Sequence, residues 1–248
     1  MATEVEEIRK IAQALKTPEP WNKATGSSMR KARFTKAMRE NAQMREGSIM
    51  KAEDTLPSLT PQQRIDNYCA ETKFPRSLFL SEDGRIVGTW IMGNAYGVKS
   101  GYYGGYPHGY LRRIKALFPE KQRALHVFSG RVDQSAWQGD TVDLNADMEP
   151  TYVDDAQSLD CVPLGNYDIV LADPPYSVED AEHYQPTMVK RNKVMGALAG
   201  CRAGTHVVWL DQVLPMYRKS EWRIVGVIGM VKSTNHRFRV VTIFERIE

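Results

Sequence analysis

The sequence predicts an α/β protein built on a mostly parallel sheet, with an antiparallel C-terminal strand at one edge. From about Tyr110 onward, short apolar runs alternate with helical or turn-forming segments, which is typical of parallel strands joined by crossovers. Residues 223–231 and 238–245 are two strand-like runs around a short polar loop, which predicts a closing antiparallel hairpin. The front of the chain has a different pattern and predicts helices and a separate β-hairpin.

This change of pattern divides the chain into a front region, residues 1–95, and a main α/β domain, residues 96–248. Apolar residues at helical spacing predict helices over residues 4–15 and about 28–44. Within residues 30–51, seven Lys or Arg stand against two Glu. A solvated helix face is the common explanation of such a run. Nucleic-acid contact through phosphates is the sharper hypothesis, with these candidate residues: Arg30, Lys31 and Arg33.

The rest of the front region carries clear start and turn signals. Thr60-Pro61 is a typical N-cap followed by a first helical residue, and it predicts a helix ending near Pro75. Two strand-like runs then flank Asp83-Gly84, a dipeptide that favours a tight hairpin turn.

Composition excludes several classes of protein. The chain is 42% hydrophobic and 25% charged, with a net charge of +3, as is usual for a soluble globular protein. No apolar run is long enough to cross a bilayer, and the first residues are acidic where a signal peptide is basic. We therefore expect a cytoplasmic protein with no membrane partner. Three widely spaced cysteines predict neither a disulfide framework nor a metal site, and the sequence does not indicate an oligomeric state.

The most informative motif is Asp173-Pro174-Pro175-Tyr176, which directly follows the apolar run 167–172. The prolines fix φ and remove two backbone donors, so their carbonyls are left to accept hydrogen bonds beside the Asp173 carboxylate. Tyr176 adds a flat face on which a heterocycle can stack. The motif predicts a site for an exocyclic NH2 group. An ordinary strand-ending turn is the alternative, and the four residues alone do not decide between the two.

Neighbouring strand ends favour the site. The first predicted strand ends at Phe128-Ser129-Gly130, where glycine permits a close turn around a ligand. Asp143 lies at the end of the second strand, and Asp154-Asp155-Ala156 follows the third. Parallel sheets bind ligands at the carboxyl ends of their strands. The recurrence of a glycine turn and carboxylates at one edge therefore predicts a nucleotide-type site.

Together these motifs resemble the class I S-adenosylmethionine-dependent amino-methyltransferases of the DNA adenine-N6 type, in particular stand-alone enzymes of phage or prophage. The resemblance implies a Rossmann-like doubly wound sheet and S-adenosylmethionine as cofactor. It implies cofactor contacts at the glycine turn, the ribose carboxylate, the adenine-binding pair and a preceding Tyr/Gly-rich segment, which here are Phe128, Ser129, Gly130, Asp143, Leu144, Asp155, Ala156, Tyr103 and Gly104. It implies catalysis by the amine-binding motif: Asp173, Pro174, Pro175 and Tyr176.

The chain departs from the family's pattern in two places. A second glycine is usual two residues after the first, but Arg131-Val132-Asp133 follows Gly130 here. The interval from Gly130 to Asp143 is also short for a crossover helix. We expect residues 132–138 to form only a turn or two.

The resemblance implies methyl transfer to N6 of adenine in DNA, with the base extruded and stacked on Tyr176. Two alternatives stay open: an RNA base amino-methyltransferase acting on guanine N2 or adenine N6, and a non-catalytic nucleic-acid-binding relative. Further phosphate contacts are predicted after the motif and in the closing hairpin loop, with solvated loop charge as the alternative. These candidates are Lys190, Arg191, His236 and Arg237.

Overall fold

The computed structural model describes residues 58–74, 76–93, 105–175, 189–233 and 237–247. The described residues all belong to one compact unit, Met50–Glu248. The predicted helices over residues 4–15 and 28–44 lie outside the described residues, as do several predicted site residues: Arg30, Lys31, Arg33, Tyr103, Gly104, Tyr176 and His236.

Three α-helices and nine strands make up the described structure. The helices are α1 (Pro61–Thr72), α2 (Tyr110–Leu117) and α3 (Arg191–Leu198). The strands are β1 (Leu78–Leu80), β2 (Ile86–Met92), β3 (Ala124–Val127), β4 (Gly139–Asp143), β5 (Tyr152–Val153), β6 (Ile169–Ala172), β7 (His206–Asp211), β8 (Trp222–Lys232) and β9 (Phe238–Arg246). None of these helices is long and apolar enough to span a membrane.

All nine strands form one sheet, in the order β1-β2-β8-β9-β7-β6-β3-β4-β5. Five of the eight neighbouring pairs are parallel, so the sheet is mostly parallel as predicted. From β3 the chain adds β4 and β5 on one side and then β6 and β7 on the other. The order of strands therefore reverses between β3 and β6.

The prediction of an antiparallel C-terminal strand at the sheet edge was wrong in its position. β9 is antiparallel, but it lies inside the sheet between β7 and β8. Its residues Val241, Thr242, Ile243 and Phe244 are buried in succession, as expected of a strand covered on both faces. A hairpin can join a sheet through either of its strands, and local sequence does not select which. Because β8 runs parallel to β7, the β8–β9 loop does lie at the predicted carboxyl edge.

Helix α1 begins and ends where its sequence signals predict. The Thr60 side chain accepts a hydrogen bond from the Gln63 backbone N–H (3.3 Å), and the Gln63 side chain accepts one from the Thr60 N–H (2.8 Å). This reciprocal capping box satisfies two backbone donors that helix geometry leaves without a partner. Lys73 closes the helix with φ at 55°, in the left-handed conformation common after a last helical turn.

The front hairpin is part of the main sheet. β1 and β2 pair around the predicted turn, and β2 also pairs in parallel with β8 over seven residues, Ile86 to Met92. β1 and β2 therefore belong to the same sheet as the strands of the main domain, across the boundary predicted at residue 95. The pairing joins strands more than a hundred residues apart, which local patterns do not encode.

The sheet has a separate core on each face. Ile169 and Leu171 of β6 belong to the core that packs with α1 and α2, while Val170 and Ala172 belong to the core that packs with α3. Because side chains alternate along a strand, Asp173 continues the face of Leu171. The helix α3 was not predicted from the basic stretch that begins it, whereas residues 132–138 form only turns, as predicted.

Candidate functional site

The Asp-Pro-Pro turn, residues 173–175, and the glycine turn, residues 128–130, leave the sheet side by side. Val127 and Ala172 are register partners and are the last residues of β3 and β6. Neighbouring strands lie about 4.8 Å apart, so Phe128 and Asp173 begin adjacent turns. This is the point at which strand order reverses, where the loops diverge and leave room for a ligand.

A tyrosine lies against the Asp-Pro-Pro turn. The Tyr106 hydroxyl donates a hydrogen bond to the Leu171 carbonyl (3.2 Å), two residues before Asp173. Tyr106 also stacks on Tyr110, with ring centroids 5.4 Å apart. Burial, and then the negative charge of Asp173, raise the pKa of Tyr106 well above its ordinary value, so its hydroxyl keeps its proton. The Tyr/Gly-rich segment was predicted to contact the cofactor through Tyr103 and Gly104, which lie outside the described residues. Its described part contacts the end of β6 through Tyr106.

The glycine turn is held in a left-handed conformation at two residues. Phe128 has φ at 60° and Gly130 has φ at 48°. A non-glycine residue rarely adopts such a φ and costs energy when it does. Ser129 lies between them with its N–H donated to the Val142 carbonyl (3.1 Å). The Ser129 hydroxyl is buried without a hydrogen-bond partner, which is unusual for a buried polar group.

Asp143 connects the glycine turn to the end of β4. One oxygen of its carboxylate accepts the Gly130 N–H (2.8 Å), and the other accepts the Asn145 N–H (2.9 Å). The residue is only half-buried, and its neighbour Leu144 is 45% exposed. Since each carboxylate oxygen can accept a further bond, Asp143 is oriented by the backbone and still able to bind a donor.

The two carboxylates after β5 have different partners. Asp154 accepts the N–H groups of Asp155 and Cys161, both at 2.8 Å, and burial raises its pKa above the ordinary value. Asp155 accepts the Gln157 backbone N–H (2.9 Å), and both of its oxygens lie 3.3 Å from the Gln157 side-chain nitrogen. Ala156 is buried in the core beside them. Asp154 thus shapes the turn, and Asp155 presents an amide-binding carboxylate.

A further carboxylate at this edge was missed in the sequence. Asp211 ends β7, is fully buried, and pairs with the Arg191 guanidinium at 2.5 and 3.2 Å. It also accepts bonds from the Trp209 indole N–H (3.1 Å) and the Gln212 N–H (2.7 Å). Its signal was available, because Asp211 follows an apolar strand as Asp173 does. What could not be foreseen is that its partners fill all of its acceptor positions.

The described residues that were predicted to contact phosphate have different surroundings in the structure. Arg191 is engaged with Asp211, so it anchors α3 to the sheet instead of facing solvent. Lys190 is exposed, and its backbone N–H donates to the Gln157 side-chain oxygen (3.1 Å). Arg237 is exposed at the carboxyl edge in the β8–β9 loop. The structure therefore brings Lys190 near the Asp155 turn and leaves Arg237 on the far side of β7.

His126, which the sequence predicts as a core residue, lies in the middle of β3 behind the site. Its Nε2 is 3.1 Å from the Trp137 carbonyl, and burial lowers its pKa to about 4. The ring is therefore neutral at neutral pH and is held in the core. Across the described ranges, no group of three or more His, Cys, Asp or Glu side chains is placed to hold a metal ion.

Comparisons with known proteins add no assignment. No protein-family model matches the chain, and no curated protein sequence is significantly similar to it. The case for a function therefore depends on the geometry of this edge.

Proposed function

We propose that this protein is an S-adenosylmethionine-dependent methyltransferase that acts on the exocyclic N6 of adenine in DNA. The observation that carries the proposal is the Asp-Pro-Pro turn directly beside the glycine turn where strand order reverses. Counted from β3, the five parallel strands have the order 3-2-1-4-5, which is also the order in the first five strands of the doubly wound nucleotide-binding fold. That agreement supports a Rossmann-like sheet with its ligand at this edge.

The residues at the edge fit the cofactor. The ribose of S-adenosylmethionine offers hydroxyl donors, and Asp143 has an oriented carboxylate with capacity to accept them. Its adenine offers an amine, and Asp155 already binds the side-chain amide nitrogen of Gln157 at 3.3 Å. The Ser129 hydroxyl, buried without a partner, provides a further polar group in the glycine turn. When bound here, the cofactor would supply the methyl group.

Asp173 and Pro174 provide the chemistry expected of an amine site. The Asp173 carboxylate and the Pro174 carbonyl can each accept one N6 hydrogen, because neither proline has an N–H that competes for them. Binding both hydrogens weakens delocalisation of the nitrogen lone pair into the ring and orients it for attack on the methyl group. The methylated N6 would then lose one of its two protons to solvent, while the sulfonium that carried the methyl group would become a neutral thioether. This is catalysis by positioning and electrostatics. In this scheme Tyr106 is a positioning residue, since its bond to the Leu171 carbonyl holds the strand that presents Asp173.

Methyl transfer from labelled S-adenosylmethionine to DNA, RNA and protein, measured in parallel, tests the proposal. We expect label in DNA as N6-methyladenine. Asp173→Ala should lower the rate by about 100-fold or more, as is usual when a preorganised polar group is removed. The control is Asp147→Ala, an exposed carboxylate on the turn after β4, which should leave the rate unchanged.

Three results would contradict the proposal in distinct ways. Label only in RNA would favour the alternative of an RNA base amino-methyltransferase. Nucleic-acid binding without detectable cofactor binding by calorimetry would favour a non-catalytic relative, in line with the lack of the family's usual second glycine after Gly130. Full activity of Asp173→Ala would remove the Asp-Pro-Pro turn from the mechanism.

A further inference from the structure

One face of the sheet is apolar on the side that α1 and α2 do not cover. Along β2, the side chains of Ile86, Trp90 and Met92 are buried in the core that includes α1 and α2. Successive side chains of a strand point to opposite faces, and a face turned to solvent ordinarily carries polar residues. On β1, β2, β8 and β9 the other face instead exposes large apolar side chains by 36–72%: Phe79, Ile91, Val227 and Phe238.

Strand register shows that these side chains form one continuous surface, which we call the apolar face. One row crosses β1, β2 and β8 and consists of Phe79, Val87 and Val227. A second row lies four residues further along β2 and consists of Ile91, Val231 and Phe238. Gly229 lies between the rows, and a Cβ added there would come within 3.1 Å of the Phe238 ring. The ring therefore packs over the glycine and closes the gap between the rows.

No described helix covers the apolar face. Val227 is joined through its register partner Thr242 to Trp209, which lies in the core that includes α3, so the face is on the α3 side of the sheet. Helix α3 packs over β6 and β7, and the side chains of the two rows belong to neither core. They present roughly 400 Å² of apolar surface, a size that often marks a contact with another molecule.

The two ends of the apolar face carry opposite charges. Arg76 lies over the Phe79 ring, with its guanidinium carbon 5.5 Å from the ring centroid, and Arg237 is exposed in the β8–β9 loop. Both cations are at the carboxyl end of β2 and β8. At the opposite end, the β1–β2 turn exposes Glu82 and Asp83, of which Asp83 pairs with Arg85. A second copy turned end for end therefore brings cations toward acidic residues at both ends.

The size and shape of the face also suit a second copy. Two sheets pack face to face through interdigitating side chains, with strand directions nearly aligned. A stable interface buries roughly 800 Å² on each partner, and the centre of a homodimer interface is its most apolar part. The apolar face can supply that centre and the charged ends its rim. A nucleic acid fits less well, because the face is apolar and one end is acidic.

We propose that two copies of this protein associate through the apolar face, related by a twofold axis that sets the strands of one copy antiparallel to those of the other. Each copy contributes the same surface, as in most symmetric dimers. The contact does not use the carboxyl edge between β3 and β6, so the candidate site of each copy stays open. The inference is independent of the proposed chemistry.

Sedimentation of the full chain over a range of concentrations tests the proposal. We expect the wild type to form a dimer that dissociates on dilution. Ile91→Asp and Phe79→Asp, which alter exposed positions in different rows, should each raise the dissociation constant about tenfold or more, because they bury a charge in an apolar contact. Met216→Asp is the matched control, since Met216 is 79% exposed in the loop after β7, and it should leave the constant unchanged.

The charged ends are tested by Glu82→Lys, which should raise the dissociation constant about threefold and less at high salt. No effect of Glu82→Lys would overturn the end-for-end arrangement. A wild type that stays monomeric at every concentration would overturn the dimer. Lower thermal stability of Ile91→Asp in that monomer would then show that another part of the same chain covers the face. A dimer that neither aspartate variant weakens, or that Met216→Asp weakens equally, would assign the contact to another surface.

Discussion

Asp143 and Asp211 are two carboxylates at the same edge of one sheet, each the last residue of its strand, yet their surroundings differ. Asp143 is half-buried and accepts only backbone N–H groups, one to each oxygen. Asp211 is fully buried and accepts a bidentate guanidinium, an indole N–H and a backbone N–H. The first can bind another donor, whereas the second has no acceptor position left.

The difference separates a ligand-binding carboxylate from a structural one. Backbone donors orient Asp143 without neutralising it, and its exposure gives a ligand access. A buried carboxylate must be paired because an isolated charge in the interior is costly. Asp211 therefore ties α3 and the loop after β7 to the sheet, while Asp143 ties the glycine turn to β4 and faces outward.

The largest loss of stability is expected when the buried Asp211–Arg191 pair is broken. Asp211→Asn leaves the Arg191 charge buried without its counter-ion, and it should lower the free energy of unfolding by about 3–5 kcal/mol. Urea denaturation measures the change. Asp83→Asn is the matched control, because the Asp83–Arg85 pair is exposed on both sides, and it should change stability little. A loss below about 1 kcal/mol for Asp211→Asn would show that this pair does not hold the edge together.

A smaller loss of stability with a larger loss of binding is expected at Asp143. Asp143→Asn keeps one acceptor but turns an NH2 group toward a backbone N–H, which should cost about 1–2 kcal/mol of unfolding free energy. The affinity for S-adenosylmethionine should fall about tenfold or more, since the ribose loses a charged acceptor. Calorimetry reports the affinity. Unchanged binding, with Asp147→Asn as the reference variant, would assign Asp143 a structural role like that of Asp211.

The smallest change in stability is expected from substitution of Gly130, whose N–H orients the Asp143 carboxylate. Gly130→Ala places a side chain on a residue with φ at 48° and should cost about 1 kcal/mol. Gly196→Ala in α3, where an added Cβ meets nothing within 4 Å, should instead stabilise the fold by up to about 1 kcal/mol. Thermal unfolding of the two variants measures both changes in stability. Equal stabilisation by both substitutions would mean that the glycine turn relaxes freely.

Local signals predicted most of the elements around the site. The apolar runs that became β3, β6 and β7 were predicted within a few residues, because continuous burial leaves a clear pattern. The start of α1 was also predicted, since its N-cap Thr60 and its first helical residue Pro61 are adjacent in the sequence. Helix α3 was missed because its first turn is basic, and only its contact with Asp211 and the core explains why it packs there.

The residues of the candidate site were likewise predicted in part, where the signal was local. The Asp-Pro-Pro turn and the glycine turn were predicted from strand ends, and the structure places them side by side. Tyr106 was not singled out, because its contact with Leu171 joins residues 65 positions apart. Arg191 was predicted to face phosphate and instead pairs with Asp211, a contact across 20 positions. Charge and spacing show that a side chain can bind an anion, but they do not show which anion it meets.

Local sequence predicts most strands, their turns and the residue types at each strand end, because these depend on neighbours within a few residues. Long-range packing places β9 between β7 and β8, joins the front hairpin to the same sheet, and leaves Asp143 half-buried while Asp211 is enclosed. These outcomes depend on which distant surfaces are buried together. Burial determines whether a charged group must be paired within the fold or remains able to bind a ligand.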